Sequence, residues 1–253
     1  MKFLRRTPPG LILNRRRLAM PGLWTPTGGG RFDGVSDYMQ SVSLSPGADA
    51  NRIVVSFWFR SSGGDGTSRM IHSITGSRML TFLTTSNRVL AQCRNASNAV
   101  VWQHNGYIVY TSSTTWHHVL VYADLVSGGG FVFEDGVDTS FIVTATAGET
   151  INSSLGNHAI GASTTGASKW HGDLAEIWIG NPGRAVIASE VSKFIAGNRP
   201  ANLGPQGAQP FGVRPPFYFQ NPAASHGVNS GSAGNMTVVG ALDDIQRPIL
   251  LGA

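Results

Sequence analysis

Thr115 to Gly136 reads TWHHVLVYADLVSGGGFVFEDG, and the fold turns on whether its two adjacent histidines are ligands or strand residues. From His117 to Tyr122 the run is rich in β-branched and aromatic side chains, which suit a pleated surface. Successive side chains on a strand point to opposite faces, so His117 goes with Val119 and Val121, and His118 with Leu120 and Tyr122. Two imidazoles on opposite faces cannot chelate one ion, and no helical His-x-x-x-His spacing accompanies them. The expectation is one packed histidine and one nearer solvent. Glu134-Asp135 fall at a tight turn, where Asp before Gly is accounted for by turn chemistry.

Upstream, Arg52 to Arg60 (RIVVSFWFR) alternates so that Val55, Phe57 and Phe59 share one face and Val54, Ser56, Trp58 and Arg60 the other, as in a central strand. Short apolar runs recur at Met70–Ile74, Met79–Leu83, Val89–Cys93, Ala99–Trp102, Tyr107–Tyr110, Phe141–Ala145, Ala159–Ala162 and Asp173–Ile179. Asn, Gly, Ser or Thr punctuate them, and strands spaced at about 8 to 12 residues indicate an all-β protein. A doubly wound α/β fold would need amphipathic segments of about 10 to 15 residues between strands, and none occurs here. One short helix is expected at Ala188–Ala196, capped by Ser189 and closed by Gly197-Asn198 ahead of Pro200. Three parts follow: an arm at 1–27, a sandwich at 28–198, and a Pro/Gly-rich connector with a strand-containing tail at 199–253. Two short strands cannot bury a core alone, so the tail should pack on the sandwich or on a partner.

The chain is 41% hydrophobic and 13% charged, with 32 glycines and 13 prolines, a composition that suits short strands joined by turns. Cys93 stands alone, which excludes an intramolecular disulfide and a cysteine zinc cluster. Of the basic residues behind the net charge of +5, six lie in the first seventeen positions, including the arm residues Arg5, Arg6, Arg15, Arg16 and Arg17. The rest of the chain is near neutral, so basicity describes an arm and not a surface. Leu11-Ile12-Leu13 is cut off by Asn14 and three arginines, too short for a secretory signal, and no run approaches the roughly 18 apolar residues of a membrane span. The arm suits docking on a neighbouring subunit or a disordered tail. Without interleaved aromatics or a groove-entering helix it gives no specific nucleic-acid signal.

In order, RFDGVSDYM (Arg31–Met39), VVSFWFR (Val54–Arg60), TWHHVLV (Thr115–Val121), FEDG (Phe133–Gly136) and IGASTTGASKWHGDLAEIWI (Ile160–Ile179) resemble the laminin G-like branch of the concanavalin A-like lectin and glucanase superfamily, including its pentraxin relatives. This resemblance implies a jelly-roll sandwich of two antiparallel sheets, with Trp116 and His118 as core and sheet residues. NSGSAGNMTVVGAL (Asn229–Leu242) is similar to the end of such domains in bacteriophage virion proteins. That implies a virion protein made in the host cytoplasm, partnered by other virion proteins and further copies of itself.

Glucanases of the superfamily carry an E-x-D-x-x-E strand, which is absent. The nearest pair, Asp173 and Glu176, has odd spacing that puts its carboxylates on opposite faces, so no catalytic residue is expected. Calcium needs six to eight oxygens, and the acidic residues, 10 Asp and 4 Glu, form no loop cluster. Asp65, Asp135 and Asp138 are the calcium candidates, with no other cofactor implied. Sugar binding needs an aromatic platform beside planar polar groups. Trp102, His104, Asn105 and Tyr107 supply such a mixture, as do Trp170 and His171, although Trp170 also fits a packing role. Exposed rings would favour glycan recognition, and buried rings a purely architectural head or tail decoration protein. A free carbohydrate-binding or degrading module is a third reading.

Overall fold

The computed structural model describes residues 29–197, 199–220 and 225–245. Its strands are β1 (Gly30–Asp33), β2 (Tyr38–Ser41), β3 (Arg52–Ser61), β4 (Arg69–Ile74), β5 (Met79–Leu83), β6 (Val89–Arg94), β7 (Val100–Asn105), β8 (His117–Asp124), β9 (Gly129–Glu134), β10 (Val137–Asp138), β11 (Ile142–Ala145), β12 (His158–Ile160), β13 (His171–Gly180), β14 (Ile195–Ala196), β15 (Arg199–Pro200), β16 (Phe217–Phe219), β17 (Thr237–Val239) and β18 (Asp243–Asp244). The first sheet runs β10-β9-β8-β3-β13-β1-β18, with β16 also on β13; the second runs β11-β7-β6-β5-β4-β12-β2-β17. The chain crosses between these antiparallel sheets repeatedly, as a jelly-roll sandwich does. Strands β16, β17 and β18 of the tail join the chain's own sheets, β16 and β18 in the first and β17 in the second. The arm arginines Arg5, Arg6, Arg15, Arg16 and Arg17 lie outside the described residues.

Alternation along β3 divides the molecule into two cores. Val55, Phe57 and Phe59 enter the space between the sheets with Ile71, Leu83, Val89 and Trp102. Burying each phenyl contributes roughly 2 to 3 kcal/mol of transfer free energy. On the other face Val54 joins Leu120, Tyr122, Phe133, Trp178 and Tyr218 in a second core, closed by Val186, Phe194 and Leu203. The opening stretch follows the same rule. His118 is buried beside Trp58, with its Nε2 2.9 Å from Ser56 Oγ. His117 stays half-buried, its Nδ1 2.7 Å from Asp135 Oδ2. The glycine run that leads into β9 has a packing cause. A Cβ on Gly130 would stand 2.2 Å from Tyr122 O and 3.0 Å from Trp102 Nε1, and its φ is +140°.

Three local expectations are corrected. Tyr107–Tyr110 is not a strand; Tyr110 is buried and donates its hydroxyl to Glu134, which also receives the Thr139 hydroxyl at 2.8 Å. Burial pushes the Glu134 carboxyl up, and these donors hold it back. The segment leaves the sheet to satisfy that buried group. The short helix is of 3₁₀ type, Ala188–Lys193, followed after Phe194 by β14. Ser189 does not cap it: Ile187 N donates to Glu190 Oε2 at 3.1 Å, and Arg184 and Lys193 pair with the same glutamate. Finally, a bulge between Ala175 and Trp178 breaks the alternation of β13, with Glu176 at φ +49°. Glu176 therefore accepts from Tyr218 on the outer face, where Asp173 also meets Arg60, and not on the opposite one.

Candidate functional site

The outer face of the second sheet gathers a polar row beside apolar side chains. In β5 and β6 Met79, Thr81, Leu83, Val89, Ala91 and Cys93 are buried, whereas Leu80, Phe82, Leu90, Gln92 and Arg94 are half-buried and face outward. Burial lifts the Cys93 thiol to about 12, so it acts as a packed apolar group. Register aligns Phe82 with Leu90 and Leu90 with Asn105 in one row, and Leu80, Gln92, Gln103 and Thr144 in the next.

The amides of this face bond head to tail. Arg94 Nε donates to Gln92 Oε1 at 3.0 Å, Gln92 Nε2 to Gln103 Oε1 at 2.7 Å, and Gln103 Nε2 to Asn105 Oδ1 at 2.9 Å. Lateral bonds hold the planar groups in place while leaving each a free donor or acceptor toward solvent. Planar amides beside exposed carbon surface match a pyranose, with its paired hydroxyls and C–H faces.

The residues expected from sequence divide. Asn105 belongs to this face, and Tyr107 is 57% exposed just beyond β7. Trp102 and His104, by contrast, point into the core, each 0% exposed. The indole donates to Gly129 O at 2.9 Å, and His104 Nδ1 accepts from Phe141 N at 3.2 Å. Burial lowers the His104 imidazole to about 4. Trp170 is also 0% exposed, edge-on to Phe59 and beneath Arg69. Their alternation places these large rings between the sheets, so Trp102, His104 and Trp170 are core residues and not ligand contacts. His171 begins β13 in the first sheet, where its ring fills the space a Cβ would take at Gly34 and Gly63. Two groups expected to act alike thus stand on different sheets.

Each calcium candidate accepts from a backbone N–H. Asp65 accepts from Ser112 N at 2.9 Å and pairs with Arg69; Asp135 accepts from His118 N at 2.8 Å; Asp138 accepts from Ser140 N at 2.9 Å. Among the described residues no group of three or more His, Cys, Asp or Glu could hold a metal ion. Asp173 is held by Arg31 Nε at 2.8 Å and Arg60 Nε at 2.7 Å, and burial lifts Glu176 to about 7. Sequence reasoning missed Leu80, Phe82, Leu90, Gln92, Gln103 and Arg94. Their outward alternation within β5, β6 and β7 was the available signal, and only the pairing of those strands makes it a surface.

The chain belongs to the concanavalin A-like lectin/glucanase superfamily: a laminin G family model so described matches residues 33–192. A heptameric SAP-like pentraxin from Limulus polyphemus is similar in fold, at 15% identity and a TM-score of 0.52, covering 83% of this chain and 94% of the pentraxin. A Bacteroides ovatus protein described as carbohydrate binding is similar at 13% identity and a TM-score of 0.62, covering 90% of this chain and 63% of that one. Among curated proteins none matches the chain.

Proposed function

We propose that the chain is a non-catalytic saccharide-binding module which serves as a structural protein of a bacteriophage-like particle, recognising glycans of a host surface. The head-to-tail amides of Gln92, Gln103 and Asn105 beside Leu80, Phe82 and Leu90 carry this reading. A fold neighbour described as carbohydrate binding supports the ligand class. The apolar side chains would cover a sugar's C–H face while the amides pair its hydroxyls. Such shallow sites bind weakly, and display in many copies amplifies them by about 10² to 10⁴. Asp173 pinned between two arginines and Glu176 buried under Tyr218 support binding without hydrolysis. A glycan array, run with and without calcium, tests it: Gln103→Ala and Phe82→Ala should lose the signal. Unchanged binding by both folded variants would move the site elsewhere.

A purely architectural role, as a head or tail decoration protein, is favoured by a different observation. Trp102 and Trp170 are buried, and Val137, Phe141 and Val143 are exposed in and beside β10 and β11, which end their sheets. Open sheet edges beside exposed apolar residues suit pairing with a second copy or another virion protein. Light scattering across a concentration series checks this: the wild type should self-associate, and Phe141→Asp should stay monomeric. No helix among the described residues is long and apolar enough to cross a membrane.

A further inference from the structure

We infer that the open face of the second sheet selects acidic saccharides, polymers bearing carboxylate or sulfate groups, an inference that rests on the saccharide reading of that face. Its outward side chains from β5, β6, β7 and β11, namely Leu80, Phe82, Leu90, Gln92, Arg94, Val100, Gln103, Asn105 and Thr144, include no acid. Three arginines border it. Arg94 is oriented by Gln92 and by Asn98 O, to which its Nη1 donates at 2.8 Å, leaving Nη2 without a partner among the described residues. Arg78 lies beside it, with its backbone carbonyl receiving Arg94 N at 2.7 Å and its Nη1 donating to Asn95 O at 2.6 Å. At the other end Arg88 is exposed next to Val89, where Thr84 N donates to its carbonyl at 2.9 Å.

The arginines of the first sheet are paired differently. There Arg31 and Arg60 share Asp173, and Arg52 pairs with Asp124. Arg78, Arg88 and Arg94 form no ion pair among the described residues. The nearby carboxylate, Glu149, accepts from Asn95 Nδ2 at 3.0 Å and pairs with none of them. A guanidinium that is pre-oriented by neutral acceptors keeps its full charge and a free donor edge, which suits a carboxylate or sulfate in a charge-assisted contact. Between the two arginine ends lie the amides and carbon surface that would bind the sugar ring. Single-stranded nucleic acid is the poorer fit, since it binds on several stacking aromatics and Phe82 is the one aromatic among these outward side chains.

The test compares matched polymers: polygalacturonate against its methyl ester, and dextran sulfate against dextran, titrated at low and high salt. The expected result is binding of the acidic member about tenfold or more above the neutral one, weakening with salt. Arg88→Gln, which lies outside the hydrogen-bonded amide row, should remove most of that preference while leaving neutral-polymer binding unchanged, and Arg94→Gln should weaken binding of the acidic member more than of the neutral one. Arg88 makes no side-chain hydrogen bond among the described residues, so its variant tests charge without disturbing the fold. Equal binding of both members, unaffected by the arginine variants, overturns the inference and leaves the saccharide reading standing. No binding of any of the polymers overturns both. Single-stranded DNA competing as well as the acidic polymer also overturns it, because the face would then be reading charge alone.

Discussion

The outer faces of the two sheets are built by one rule and come to opposite ends. On the first sheet Val54, Leu120, Tyr122, Phe133, Trp178 and Tyr218 lie beneath Val186, Phe194 and Leu203, so that face is a second core. On the second, Leu80, Phe82 and Leu90 alternate with Gln92, Gln103 and Asn105, and all stay half-exposed. Aromatic side chains in a row need a cover. Amides that satisfy one another sideways can stand in water and still offer hydrogen bonds to a ligand. The covered face therefore supplies stability, and the open one supplies the candidate binding surface.

Acid should have the largest effect, since it acts on buried imidazoles, and the open face carries none. His118, His104 and His158 are lowered by burial to about 3, 4 and 4, and His72, also in the core, is lowered too. The fold keeps these rings neutral, while the unfolded chain takes up protons below the ordinary 6.5. Stability should therefore fall from about pH 6.5 toward pH 4 by about 1.4 kcal/mol per pH unit for each histidine. Glu176, raised to about 7, opposes this loss between about pH 7 and its ordinary 4.5. Urea melts across this range measure the slope, and His118→Gln should flatten it.

Truncation comes next in size. Trp178 packs edge-on against Phe194 and Phe211 and donates its indole N–H to Gly207 O at 2.8 Å. Trp178→Ala should cost about 3 to 5 kcal/mol in a urea melt without changing the open face's ligand preference. A smaller loss would mean that the covering segment relaxes into the gap. The mildest change is Gln103→Ala, which should alter stability by less than about 1 kcal/mol yet lower saccharide affinity about tenfold by calorimetry. A stability loss as large as that of Trp178→Ala would make the amide row part of the scaffold and erase the distinction between the faces.

Much of the candidate site could be read from sequence one strand at a time, and little of it across strands. Asn105 was found because it lies in a mixed polar and aromatic stretch, but the same stretch also drew Trp102 and His104, which point inward. Its partners Gln92 and Gln103 lie on separate strands, and nothing local marks them as neighbours. Asp173 and Glu176 show the complementary limit. Their spacing implied opposite faces until a one-residue bulge shifted Glu176 onto the outer one.

By itself the sequence determined the all-β class, most of the strands and the two faces of β3 and β8, because the period of two is a property of neighbouring residues. Only the tertiary structure decided which strands lie side by side, where a bulge shifts a carboxylate, and which outer face the segment after β13 covers. Those outcomes depend on register between distant parts of the chain and on competition for burial, and neither leaves a local trace in the order of residues.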